Sequence, residues 1–420
     1  MRLTCQTLAD DVAPAVLCHI NISAKEATTI EEVISDLQFL TNPERAAVNC
    51  SSKITFGDFS SIFPDSNIDK GNVDVPSDHV RRLSEELLTV LTSFKFIQTV
   101  KYATFYLQED RSFLFTRFYQ SSWQAGSNDP LWLEESIWKA IGLFPNLRHL
   151  KIDGTFLKQP LGNFESLNAL ESINIFGELF QHKGALFLSL SKLYASSLNL
   201  NSITIKNSDE YELYGTQSLQ QLLSSSPREN PAHRLRYLAV SDVPIRLDEV
   251  SLSHLTHLTS FNLSSLPEGS LSSSPDDIWV AFKRSNIRLE ELEVGINAVA
   301  DSIIDYLSSF SGLKKLRLFI PNFDNQTFSD ASAVKFWSES LQNHVDTIRD
   351  FSLRACYSGQ WCFGRHNRSL VGKCTKLKQL TVSLLPEDIP TEAEDFDGIV
   401  CVPLLISTSS LTVLSSERSF

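Results

Sequence analysis

Between residues 97 and 382 the sequence repeats one short arrangement: an apolar residue, two others, an apolar residue, one other and an apolar residue. The copies are Ile97/Val100/Tyr102, Leu147/Leu150/Ile152, Leu170/Ile173/Ile175, Leu200/Ile203/Ile205, Leu235/Leu238/Val240, Leu258/Phe261/Leu263, Leu289/Leu292/Val294, Leu313/Leu316/Leu318, Ile348/Phe351/Leu353 and Leu377/Leu380/Val382. Triplets of Leu, Ile, Val or Phe at these offsets arise by chance about ten times in a chain of this length. Their number therefore carries no weight, and spacing decides. The third positions never crowd and stand mostly about 23 to 35 residues apart, the length of one strand-plus-helix unit.

Helical periodicity fills several of the gaps. Leu133, Ile137, Ala140 and Ile141 follow Asp129 as a side-chain cap and Pro130 at the first turn, and the pattern stops at Gly142. Similar faces are expected at Leu219, Leu222 and Leu223 after Thr216, at Ile303, Ile304, Leu307 and Phe310, and at Val334, Trp337 and Leu341 after Asp330. Neither element of such a unit buries its apolar side alone, so neighbouring units complete each other. The expected fold class is α/β, a leucine-rich-repeat solenoid with a curved parallel β-sheet on the concave side and helices on the convex side.

With 37 basic against 50 acidic residues the net charge is −13, which argues against general nucleic-acid binding, since that needs a basic footprint. No apolar run approaches the ~20 residues of a membrane span. The opening Met1 to Ser23 is interrupted by Asp10, Asp11 and Pro14, unlike a secretory signal, so the expected location is cytoplasmic or nuclear. Seven cysteines, an odd and scattered set, fit reduced thiols. The Asn-x-Ser/Thr sequences at Asn21, Asn49, Asn262, Asn325 and Asn367 then read as chance matches.

Along the chain, residues 1–23 read as a short helix leading into a strand at Cys18 to Ser23, where Leu17, Ile20 and Ile22 fit the repeat template. Residues 24–95 read as a linker and capping region, with a strand candidate at Ile54 and Phe56 and a helix from about Ser77 to Thr92 carrying Val80, Leu83, Leu87 and Leu91. Residues 96–420 form the array. It contains an acidic insertion at 386–398 and a last, incomplete copy at Leu411, Leu414 and Ser416, whose polar end suits a cap.

No phosphate loop, nucleophile elbow or zinc-protease motif is present, so no catalytic residue and no cofactor are expected. Cys356, Cys362, His366 and Cys374 are the densest set of metal-type ligands, but their spacing matches no zinc template. Cys356 instead falls where the repeat favours Asn or Cys as the chain leaves its strand. His254 and His257 read as loop histidines, and Trp132, Trp138, Trp279 and Trp337 as core fillers.

What remains is the strand face. Residues alternating with the apolar ones point away from the core, and stacking gathers them into a candidate binding surface for a protein partner. Lys101, His149, Lys151, Tyr237, Glu291, Glu293, Lys315, Arg317, Phe319 and Arg354 are the candidate residues. The acidic step at Glu291 and Glu293 beside the basic step at Lys315 and Arg317 would suit a partner with complementary alternating charge.

The opening segment, with Leu3, Cys5, Leu8, Val12, Pro14, Leu17, Ile20 and Ile22, resembles the second half of an F-box in fungal F-box/leucine-rich-repeat proteins. The array is similar to the irregular repeats of the same family. That resemblance implies a substrate-recognition subunit of an SCF-type ubiquitin ligase: the F-box docks on a Skp-type adaptor and the repeats hold the substrate. Met1 falls where the last F-box helix would begin, so the first half of the box is expected to be missing. A free-standing leucine-rich-repeat scaffold without ligase docking is the alternative.

Overall fold

The computed structural model describes residues 19–22, 29–41, 51–56, 78–94, 97–103, 139, 141–153, 167–177, 185–207, 218–224, 235–266, 274–295, 299, 301–320, 326–385, 406–407 and 410–411. The chain divides into two units, Met1–Tyr211 with Gln221–His233, and Glu212–Gln220 with Arg234–Phe420. The expected helix within residues 1–18 and most of the one around Leu133 to Ile141 lie outside the described residues.

The first unit holds β1 (His19–Ile22), α1 (Ile30–Thr41), β2 (Lys53–Phe56), α2 (Asp78–Ser93), β3 (Thr99–Ala103), β4 (His149–Asp153), β5 (Ser172–Gly177), α3 (Ala185–Ser196) and β6 (Ser202–Asn207). All six strands pair in parallel, each with the next in sequence. A parallel partner lies beyond the reach of a tight turn, so a crossover segment has to separate consecutive strands. The register aligns Ile20, Ile54, Val100, Leu150, Ile173 and Ile203 in one row, every one of them buried. Strand pairing thus reaches back to residue 19. In α1, Val33, Ile34 and Leu37 are buried, and in α2 Leu83, Leu87, Val90 and Leu91, one stripe each at helical spacing. Gln38 donates to Glu86 Oε1 at 2.8 Å between them.

α4 (Leu219–Ser224) divides between the units, with Leu219, Leu222 and Leu223 buried. The second unit holds β7 (Tyr237–Ser241), α5 (Glu249–Leu255), β8 (Ser260–Ser265), α6 (Pro275–Arg284), β9 (Glu291–Val294), α7 (Asp301–Leu307), β10 (Lys315–Ile320), α8 (Gln326–Lys335), β11 (Asp350–Ala355), α9 (Arg368–Gly372) and β12 (Gln379–Val382). Here too β7 to β12 pair in parallel, aligning Leu238, Phe261, Leu292, Leu316, Phe351 and Leu380. The helix ends follow from local sequence. Ser251 N donates to the Asp248 carboxylate at 2.8 Å at the start of α5, and α6 opens with Ser274 as cap and Pro275 in its first turn.

The ten triplets coincide with β3 to β12. Their first residue is buried just before the strand in nine copies and half-buried at Leu377. One hydrogen-bond pattern recurs at these entries: a carbonyl just before one strand accepts two successive N–H groups from the next repeat. Gln98 O takes Arg148 N and His149 N, Arg236 O takes Thr259 N and Ser260 N, Glu290 O takes Lys314 N and Lys315 N, and Arg349 O takes Lys378 N and Gln379 N. Gly295, just past β9, donates to Leu263 O at 2.8 Å. A Cβ there would lie 1.6 Å from Ser264 O, so glycine is required by close backbone approach.

An aromatic seam fills the space between strands and helices in this unit. Phe261 meets Trp279 and Phe282 at ring-centroid distances of 6.0 and 5.2 Å, Trp279 stacks on Tyr306 at 5.8 Å, and Phe310 lies 5.1 Å from His344. Trp279 is fully buried, as the core reading expects.

Three details differ from expectation. α8 begins at Gln326, so Asp330 does not cap it; Asp330 Oδ1 accepts from Gln360 N at 2.8 Å. Val334 is 54% exposed: the buried residues Ala333, Phe336, Trp337, Ser340 and Leu341 form a stripe at helical spacing that runs through a π-helical turn at Phe336–Ser340 and leaves Val334 to one side. The end of the sheet is not a further parallel copy at Leu411. β13 (Ile406–Ser407) pairs antiparallel with β12, and β14 (Ser410–Leu411) pairs antiparallel with β13.

Candidate protein-binding face

Alternation along each strand sends one set of side chains into the core and the other outward. In the first unit Leu150 and Ile152 are buried, while His149 is exposed and Lys151 half-buried between and beside them. His149 Nδ1 lies 2.8 Å from Ser172 Oγ on β5. Lys101 is placed by backbone register between Thr55 on β2 and Lys151 on β4.

In the second unit β7 carries Tyr237, half-buried and in register with Ser260. Register gathers the remaining candidates on three adjacent strands. Glu291 pairs with Lys315, Glu293 with Arg317, and Phe319 with Arg354. Their side chains engage one another. Ser260 Oγ donates to Glu291 Oε2 at 3.1 Å, and Lys315 Nζ and Arg317 Nη1 approach Glu293 Oε2 at 3.6 and 3.9 Å. Arg317 Nη2 donates to Asp350 Oδ2 at 2.7 Å. The alternating charges on β9, β10 and β11 are therefore compensated within the sheet. Each such partly exposed pair contributes about 0.2–1 kcal/mol. Phe319, half-buried, and Arg354, exposed, lie outside these pairs.

The sequence reading did not single out Lys53, which shares the row of Thr99 and His149, or Lys206, in the outward row of β6. Laying the triplets over one another would have placed both lysines and Asp350 beside their lateral neighbours.

Among the described thiols Cys356 is exposed, while Cys362 and Cys374 are buried. At the exit of β11 Ser383 Oγ accepts from Ala355 N at 3.0 Å and donates to Ala355 O at 3.2 Å. Buried Cys362 donates to Tyr357 O at 3.3 Å, and burial pushes the Cys374 thiol up to about 11. Among the described residues no group of three His, Cys, Asp or Glu side chains is arranged to hold a metal. His254 lies buried in the last turn of α5 rather than in a loop. Asn367 is buried, its amide donating to Cys362 O and accepting from Gly364 N, both at 3.0 Å.

Among the described residues no helix is long and apolar enough to cross a membrane. The chain matches no protein-family model and has no significant match among curated proteins.

Proposed function

We propose that this chain is a non-enzymatic protein-binding module that holds its partner on the outward strand face. The observation that carries the reading is the recurrent strand entry, in which one carbonyl binds two N–H groups of the following repeat. It fixes register, and register sets the outward side chains of successive strands about 4.8 Å apart. Such a lattice presents hydroxyls, amides and charges in fixed positions, which is what noncovalent recognition of a folded surface uses. The F-box-like opening, running into β1 at Ile20 and Ile22, favours a substrate-recognition subunit of an SCF-type ubiquitin ligase. A free-standing leucine-rich-repeat scaffold shares the binding face without the ligase link.

Photo-crosslinkers at outward Ser172 and Ser260, compared with helix positions Leu188 and Val280, test the face. Partner adducts from the strand positions alone support it; adducts from the helix positions alone overturn it. Capture of a Skp-type adaptor that is lost when Leu3 and Leu8 are changed to Glu supports the ligase assignment. Strand-face adducts without adaptor capture leave the scaffold.

A further inference from the structure

The charges on the outward face of β9 to β11 fall into a neutral centre and two unmatched ends. In the centre Lys315 Nζ and Arg317 Nη1 approach Glu293 Oε2 at 3.6 and 3.9 Å, and Arg317 Nη2 reaches Asp350 Oδ2 at 2.7 Å. Two cations there meet two carboxylates. Glu291 stands directly opposite Lys315 in register, yet the ammonium goes to Glu293, and the exposed Glu291 carboxylate takes the Ser260 hydroxyl at 3.1 Å instead of a cation. At the other end Arg354 is exposed, and among the described residues no carboxylate lies within ion-pair distance of it.

Phe319 adds an apolar contact at the Arg354 end. Register sets it beside Arg354 on β11. On its other flank the pairing of β10 with β9 ends at Leu318 and Val294, and the next residue after β9 is Gly295, which has no side chain to cover the ring. Among the described residues no other ring meets Phe319. Aromatic rings and arginines are enriched where protein interfaces concentrate their binding energy. The distance between the two ends follows from register. Glu291 shares a lateral row with Asp350, and Arg354 lies four residues beyond Asp350. At about 4.8 Å per strand and ~3.3 Å per residue the two positions stand roughly 16 Å apart.

We infer that this face binds a polypeptide of mixed charge: an Asp or Glu that meets Arg354, an apolar side chain beside it that covers Phe319, and a Lys or Arg that meets Glu291. The inference rests on the protein-binding reading above and adds the chemistry of the partner. Opposite signs at the two ends select the class of ligand. A nucleic acid, a polyphosphate or a run of acidic residues carries one sign throughout, so reaching from Arg354 to Glu291 would set like charge against Glu291. A small lone anion would leave Phe319 uncovered and gain only an exposed ion pair, which contributes little. Extended polypeptide spans the distance in about five residues, so one short segment supplies all three groups.

A displayed library of random peptides, selected on the full chain, tests this, with the binding of selected peptides measured by fluorescence anisotropy. Selection is expected to enrich an acidic and a basic residue about five positions apart, with an apolar residue beside the acid. Arg354→Glu should weaken those peptides at least about tenfold, with unchanged circular dichroism, and Phe319→Ser should weaken them as well. Exchanging both ends, Glu291→Lys with Arg354→Glu, should restore binding to peptides whose two charges are likewise exchanged. Lys192→Glu, on the exposed side of α3, should leave binding as it was. Failure to enrich the paired charges, enrichment of acidic residues alone, or binding that Arg354→Glu leaves unchanged overturns the proposal. If Ser260 still crosslinks a protein partner in that case, the mixed-charge assignment falls and the protein-binding reading stands.

Discussion

Arg317 Nη2 donates to Asp350 Oδ2 at 2.7 Å across β10 and β11, while its Nη1 reaches 3.9 Å from Glu293 Oε2 on β9. One guanidinium thus ties three strands of different repeats. The side chains are 37% and 20% exposed for the Arg317–Asp350 pair, so solvent screens part of the attraction. A double-mutant cycle with Arg317→Ala and Asp350→Ala should return a coupling of about 0.5–1 kcal/mol by urea unfolding. The coupling should shrink at high salt. Additive single effects would show that the contact holds nothing.

His344 gives the fold an acid limit. It is fully buried, its Nδ1 accepting from Leu313 N at 3.4 Å and its Nε2 donating to Leu307 O at 3.1 Å, an arrangement that uses the neutral ring. Burial holds its pKa down at about 4, from the ordinary 6.5. The unfolded chain therefore takes up a proton that the folded chain refuses. The stability His344 contributes is present above about pH 6.5 and is lost as pH falls towards 4, to a total of about 3 kcal/mol. Urea titrations across that range should show the decline, and His344→Gln should flatten it. A wild-type profile level between pH 7 and 4 would count against this account.

The aromatic seam predicts graded losses. Trp279 is fully buried between Phe261, Phe282 and Tyr306, so Trp279→Ala should cost about 3–5 kcal/mol. Tyr306→Phe removes only the hydroxyl that donates to Ile287 O at 2.9 Å. It leaves a carbonyl without its donor and should cost about 1–3 kcal/mol. Thermal unfolding of the two variants should rank them in that order.

Two glycines separate crowding from strain. At Gly295 a Cβ would overlap Ser264 O, whereas at Gly312 the space is open but φ is +109°. Gly295→Ala should lose more than about 2 kcal/mol because β8 and β9 must move apart. Gly312→Ala should lose about 1–2 kcal/mol from backbone strain alone. Equal losses in denaturant titrations would contradict the distinction.

The strands were legible because burying one sheet face forces an apolar residue at every second position, and Leu150 with Ile152 or Leu316 with Leu318 writes that rule directly. Helices were harder. Val334 fits a helical stripe with Trp337 and Leu341, but Ala333 fits one with Phe336, Trp337 and Leu341 equally well, and it is the smaller alanine that is buried. His344 gave no signal either, since its burial depends on Phe310 and on backbone groups of the preceding repeat. Among the candidate binding residues, composition suggested charges offered to a partner on β9 and β10. Their lateral pairing emerges only from register, because Glu293, Arg317 and Asp350 are distant in sequence and adjacent in space.

Each parallel strand within a unit bonds only to the strand before it and the strand after it in sequence. Among the described residues of each unit no parallel strand pairing waits for parts of the chain beyond the neighbouring repeat to meet. Loop-closure entropy is met in small instalments, and order can start at any adjacent pair and spread outward from it. A local lesion such as a lost strand entry therefore fragments cooperativity instead of abolishing it: unfolding should acquire steps, each the size of a few repeats.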